Sequence, residues 1–467
     1  IAVASTLILG YKADLSNDVL QAYSKTGTVH VLSVSGAHVA ILFILLSFML
    51  DFMDKYKYGK PIKALLIVSI IWYYALLTGF SPAVCRAAVM ITMYIIGKAY
   101  NRHISTLNIL AVSAFFLLLY DPLFITDVGF QLSYLAVFGL VVLQPVVYNW
   151  LDLKNKWADK LWALCSVSIA AQVITFPLSA FYFHQFPVYF LVSNLFIIIP
   201  SAIIMYTGLA YLFLPSIPFI SPALAFILEH TILLMNKVLT VIEHTPYAGI
   251  NKIWITTTEY VLLYVIIISI FYFLYAQKKW LLKLSLCCML LLATSLSIKR
   301  WKNLTRNEIT FLNLRKHTGI VFKAGNKAIV VSDLADTDKT YRYSVQPYLD
   351  SCQVNSVKVL APDSNFQSGF FIKQGPLMQI MDKRVLLFDK HLQNSTLAEK
   401  LKVDYTYISG NPKTDIGFLN KNYGDSFLII DGTNYNPLIT RLQESANQRH
   451  INYWMLRRNK SITVVSN

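Results

Sequence analysis

From residue 28 to residue 298 the chain consists largely of uncharged apolar runs separated by short polar breaks. A soluble core has no room for so many apolar side chains. A membrane-crossing helix requires such runs, because ~20 residues at 1.5 Å rise match a hydrocarbon layer ~30 Å thick. Ten runs are legible, at roughly 30–50, 62–79, 82–98, 105–120, 128–149, 161–183, 188–213, 222–244, 257–276 and 284–298. The eighth carries Glu229, His230, Lys237, Glu243 and His244, and the tenth is short, so either also suits a helix lying in the membrane interface. With 55% of its 467 residues apolar and 14% charged, the chain is excluded from the ordinary soluble enzymes of this length.

Lys and Arg collect in the cytoplasmic loops of membrane proteins. Here the first connection holds Lys55, Lys57, Lys60 and Lys63, the third Lys98 and Arg102, the fifth Lys154, Lys156 and Lys160, and the ninth Lys278, Lys279 and Lys283. The even connections are poor in both, with a lone Lys252 in the eighth. This alternation puts odd loops in the cytoplasm, and Ile1 and the C-terminal region outside it. Lys299, Arg300, Lys302 and Arg306, after the tenth run, oppose that orientation. A net charge of +16 fits orienting residues, anionic lipid or nucleic acid. The five cysteines form no C-x-x-C pair and no even framework, so neither a zinc ribbon nor a disulfide scaffold is indicated. A start at Ile1 rather than Met reads as a piece of something longer.

Beyond residue 306 the texture becomes that of a soluble α/β domain. Short β-rich runs occur at Ile309 to Leu314, Gly319 to Phe322, Ala328 to Val331, Val357 to Leu360 and Val385 to Phe388. Helices are expected at Tyr341 to Leu349 and Pro437 to Ala446. The division predicted is a membrane domain over 1–300 and a soluble domain over 301–467.

Three blocks interrupt the apolar pattern. In the first, from Gly27 to Val39, His30, Ser33, Ser35, Gly36 and His38 break an otherwise apolar segment, and polar groups inside a membrane face a bundle interior or a water-filled path. The alternative is interhelical packing, for which small residues and Ser are suited. If the helix is continuous, a spacing of eight residues places His30 and His38 on one side of it. They make a poor metal pair, since nothing nearby supplies further ligands. The second block, Thr78 to Ala88, is a tight turn followed by a helix opening on Pro82, with Arg86 a turn inside. An arginine there either snorkels to the interface or meets an acidic group or a phosphate. In the third, Tyr120 to Ala136, Asp127 suits a helix cap, and Gln131 and Ser133 are candidates for lining a cavity.

In this order and at these separations the three blocks resemble the competence domain of ComEC proteins. His30, Leu32, Ser35, Gly36 and His38 match that family's H-x-L-x-x-S-G-x-H signature, and the similarity spans roughly 1 to 275. The resemblance implies a polytopic α-helical channel of about ten helices in the bacterial inner membrane. Through it one strand of DNA enters the cytoplasm during natural transformation. Implied partners are single-stranded DNA, membrane lipid, a cytoplasmic helicase or translocase, and an outer DNA receptor. It also implies an N-terminal OB-like domain, which these residues do not include, and a C-terminal metallo-β-lactamase-like domain of the kind proposed to be a nuclease. That domain's metal-binding H-x-H-x-D-H run is missing here: after Val357 to Leu360 the chain reads Ala-Pro-Asp-Ser-Asn-Phe, and His317, His391 and His450 are dispersed. A di-metal hydrolase needs several imidazoles and carboxylates converging on one site. The domain is therefore expected to be degenerate and catalytically inactive, with no metal and no cofactor.

Two other functions remain open from sequence: a membrane-anchored nuclease degrading the non-transported strand, and a secondary transporter of a small solute built from inverted repeats. No G-x-x-x-x-G-K-[ST] loop occurs, so any strand movement draws its energy from partners.

Overall fold

The computed structural model describes residues 2–11, 14–99, 105–214, 217–395 and 399–466. Arg102, counted above among the basic loop residues, and Ile1 lie outside the described residues. The chain forms two compact units, Ile1–Leu290 and Leu291–Asn467.

The first unit is helical. Two short helices, α1 (Ala2–Leu9) and α2 (Asn17–Lys25), precede α3 (Gly36–Met49), α4 (Gly59–Leu77), α5 (Pro82–Ala99), α6 (Thr106–Tyr120), α7 (Val128–Val142), α8 (Gln144–Tyr148) and α9 (Lys156–Phe183). A short strand β1 (Gln185–Pro187) leads to α10 (Phe190–Phe213) and α11 (Ile220–Glu243); β2 (Gly249–Asn251) leads to α12 (Thr257–Ala276) and to α13 (Lys279–Thr305), of which the part up to Leu290 belongs to this unit. Each of the ten apolar runs contains a helix. Among the described residues, α4 and α9 to α13 are long and apolar enough to cross a membrane, including the two runs that also suited an interfacial position. Helices α3, α6 and α7 are apolar but shorter.

Three boundaries depart from the sequence reading. The first run is helical from Gly36, not from residue 30. Gly27 turns the chain at φ +76°, and Ser35 is extended at φ −114°, ψ 169°, so the apolar residues between them are not wound. The fifth run divides into α7 and α8, where Pro145 lacks the N–H that continuous winding requires. The tenth extends to Thr305, so Lys299, Arg300 and Lys302 occupy its C-terminal turns, where the helix dipole favours cations, instead of following it.

Strands β1 and β2 pair antiparallel, Phe186 opposite Ile250. The connections after α9 and after α11 therefore lie at one end of the unit, and α10 and α11 carry the chain away and back. The end of α2 sits there too: Lys25 bridges Glu243 at 3.1 Å, Tyr23 donates to Asn236 at 2.8 Å, and Gln185 bonds Ser24.

The second unit is a sandwich of two sheets between helices. Its strands are β3 (Asn307–Phe311), β4 (Gly319–Ala324), β5 (Lys327–Ser332), β6 (Ser356–Leu360), β7 (Phe366–Gln367), β8 (Phe371–Gln374), β9 (Leu377–Ile380), β10 (Lys383–Phe388), β11 (Tyr405–Ile408), β12 (Phe427–Ile430), β13 (Tyr453–Met455) and β14 (Ile462–Ser466). One sheet has the order β14-β3-β4-β5-β6, the other β13-β12-β11-β10-β9-β8-β7. Ile309, Phe311, Phe322 and Val331 of the first meet Phe371, Val385, Leu387 and Tyr407 of the second in a shared core. Alternate residues face outward. Val321 and Val330 pack with Leu349 of α14 (Gln346–Ser351). Leu386 and Ile430 pack with Leu419 of α15 (Ile416–Tyr423) and Leu442 of α16 (Asn436–Gln448). The expected strands and the helix near 437 are present. The expected helix at Tyr341 to Leu349 starts with a wider π turn, Tyr341–Val345.

Candidate functional site

Helices α3, α5 and α7 each open with one of the three polar blocks. Helix α3 has 14 residues, about 21 Å. That is shorter than the ~30 Å of a hydrocarbon layer.

His38 organises this end. Its Nδ1 accepts the Ser35 N–H at 3.0 Å and lies 2.9 Å from Ser35 Oγ. An Nδ1 that accepts a backbone N–H carries no proton, so the neutral ring is protonated at Nε2. His38 is buried, whereas His30 is exposed on the turn before the helix, with Nδ1 3.2 Å from Gly27 O. The continuous helix that would have aligned the two histidines is absent. Ser33 and Ser35 are half-buried.

Opposite stands Arg86, one turn into α5 and 5% exposed. Its Nη1 is buried without a hydrogen-bond partner, and Nη2 lies 3.2 Å from where a Cβ on Gly36 would sit. It does not snorkel, and no carboxylate pairs with it among the described residues. The Tyr134 ring of α7 stabilises its charge, with the centroid 5.4 Å from Cζ. Tyr134 is held by a 2.9 Å hydrogen bond between its hydroxyl and Ser113 Oγ. Sequence reasoning passed over Tyr134, whose only signal was its place a turn after Gln131.

Asp127 caps α7, accepting the Phe130 N–H at 2.7 Å. Gln131 donates to Ile125 O at 2.7 Å and lines a cavity of about 480 Å³. Phe130, Tyr134, Phe138, Phe181, Tyr182 and Tyr260 supply most of its remaining wall. Ser133 is half-buried and does not line it. The structure thus brings Ser35, Gly36, His38 and Arg86 together, connects them through Tyr134 to Gln131, and keeps Ser133 off the cavity wall.

In the second unit, polar side chains gather at strand ends. Asp333, after β5, accepts from His317 Nδ1 and from the Thr318 N–H, both at 2.8 Å. Asp431, after β12, accepts from Thr433 Oγ1 at 2.7 Å. Fully buried Lys373 of β8 donates to Pro362 O, in the connection after β6, at 2.5 Å and to Gly375 O at 2.6 Å. Burial pushes its ammonium pKa down, opposed by Asp363. Among the described residues no group of three or more His, Cys, Asp or Glu is arranged to hold a metal ion.

Two family models match the chain: one described as competence protein over residues 7–279, the other as ComEC C-terminal domain over residues 309–466. ComE operon protein 3 of Bacillus subtilis is 29% identical over 208 residues, 43% of this chain and 26% of that protein. An uncharacterized protein of Aquifex aeolicus is 30% identical over 131 residues, 28% of this chain and 30% of that one. The chain thus spans less than a third of the length of these curated relatives. No solved structure matches. The first match covers more than half of the chain and contains all three polar blocks, so this multi-pass membrane protein belongs to the competence protein family, of the ComEC type.

Proposed function

We propose that the chain forms an inner-membrane channel through which single-stranded DNA enters the cytoplasm, with about ten helices crossing the bilayer. The observation that carries this reading is the unwound segment leading to Gly36, set against the buried Arg86. Irregular backbone at membrane depth is tolerated where it is buried in protein or lines an aqueous path, and a buried arginine without a carboxylate suits an anionic cargo. The paired connections β1 and β2 support alternating crossings, with the even connections and the second unit outside the cytoplasm. The second unit is proposed to be a metallo-β-lactamase-like sandwich without hydrolytic activity, a reading supported by its helix-sheet-sheet-helix layering and its scattered histidines. Movement of the strand is assigned to a cytoplasmic helicase or translocase, and capture to an outer receptor.

The test is to delete the gene in a transformable host and follow labelled duplex DNA separately into the outer compartment and the cytoplasm. The expected result is DNA held outside with none entering. Normal entry would reject the channel and bring the solute-transporter alternative forward.

A further inference from the structure

Two positive features face each other across a few ångströms at the start of α3. The first N–H groups of a helix precede any intrahelical acceptor, and with the aligned peptide dipoles they amount to about +0.5 charge. Here those groups begin at Gly36, whose missing side chain leaves the backbone open on the side of Arg86. The second feature is the guanidinium itself, 95% buried by its 5% exposure, with Nη1 unpartnered. Tyr134 covers one face of it, but a ring quadrupole offsets only a fraction of a desolvated charge. Left so, the two would repel in a low-dielectric setting. Burying an unpaired charge there is costly enough that such residues normally find an anionic or polar partner.

The geometry points to an oxyanion site between the N-terminus of α3 and Arg86 that takes one phosphodiester group of the passing strand. This deepens the channel reading and rests on it. A phosphodiester carries one negative charge and two unesterified oxygens. One oxygen suits the planar guanidinium and the other the Gly36 and Ala37 N–H groups, a division that helix N-termini and arginine both favour. Contact with backbone phosphate carries no base information, so the site would grip any sequence equally. Gly36 is its specificity element: a Cβ there would stand 3.2 Å from Nη2, in the gap an oxygen must enter. Lipid headgroups offer the same phosphodiester chemistry, and the experiment separates the two sources.

The full chain is placed in nanodiscs of neutral phosphatidylcholine and titrated with a short fluorescent thymidine oligonucleotide, in phosphodiester form and in uncharged methylphosphonate form. The unmodified protein should prefer the phosphodiester by roughly tenfold or more, as hydrogen bonds to charged groups are worth. Arg86→Gln should remove that preference without changing methylphosphonate affinity. Arg86→Lys, which keeps the charge and loses the fork, should fall between, and Gly36→Ala should weaken phosphodiester binding alone. Equal binding of both forms by the unmodified protein overturns the site and needs no variant to fold. Unchanged preference in Arg86→Gln overturns it as well. If adding phosphatidylglycerol competes the oligonucleotide from the unmodified protein but not from Arg86→Gln, the occupant is lipid and the strand assignment falls. The channel reading fails separately: a deletion strain that still imports DNA rejects it whatever the discs show, and a strain that fails to import beside non-discriminating discs removes only the oxyanion site.

Discussion

Gly139 and Gly36 are both glycines at close approaches, yet their substitution should have opposite signatures. A Cβ on Gly139 would come within 2.5 Å of Ile174 Cγ2 and 3.1 Å of Ala170 O, where α7 packs on the interior of α9 and neither helix can yield cheaply. Gly139→Ala should therefore cost about 1–3 kcal/mol, read as a lower thermal midpoint in detergent. At Gly36 the nearest obstacle is the end of the Arg86 side chain at 3.2 Å, not backbone, so Gly36→Ala should keep its midpoint while losing phosphodiester affinity. Asp431 gives a prediction in pH. Burial raises its carboxyl above the ordinary value, against hydrogen bonds from the Thr433 hydroxyl and N–H. Between the ordinary and raised values the native state binds more protons than the unfolded chain, so the stability gained is full below the ordinary value and is lost as pH rises through the raised one. Asp431→Asn has no such titration. Its midpoint relative to the unmodified protein should rise as pH climbs above the ordinary carboxyl value of about 4, and a flat difference would contradict this account. Polar residues in apolar runs were legible as candidates because lipid makes them costly. Tyr134 was not, because an aromatic in such a run reads first as packing.

Among elements, hydropathy located the helices but not where winding begins. Val29, Val31, Leu32 and Val34 are as apolar as any helical residue, and only Gly27 and the Ser35–His38 cap record that the chain turns there. In the second unit the strands with turn residues close by were readable. Strands β11 and β12, nearly buried on both faces, showed no alternation to mark them. The pairing of β1 with β2 makes a prediction at this scale. Cysteines replacing exposed Tyr247 and Leu123 should react with an impermeant maleimide from the outside of intact cells, and one replacing exposed Tyr56 only after permeabilisation. Labelling of Tyr247 and Leu123 positions from opposite sides would break the alternation of crossings.

For the molecule as a whole, composition alone separated a lipid-adapted part from a soluble one, since the two solvents demand different surfaces. The arrangement of two sheets was not legible, because pairing between strands far apart leaves no local pattern. The proposed inactivity of the second unit predicts that the purified full chain, supplied with manganese or zinc, leaves single- and double-stranded DNA intact on a gel; cleavage abolished by a chelator would reverse it. One pairing also bears on the order of events during synthesis. Strand β14 adds to β3 with Ile462 opposite Phe311, across a separation of about 150 residues. At roughly 5–20 residues per second the ribosome takes on the order of 8 to 30 s to deliver the second partner. Throughout that interval β3 has a bare edge that any other extended segment can occupy. The sheet is thus finished last by its most distant strand, and a ribosome that stalls before residue 462 releases a chain whose membrane helices are complete but whose outermost edge is open to aggregation.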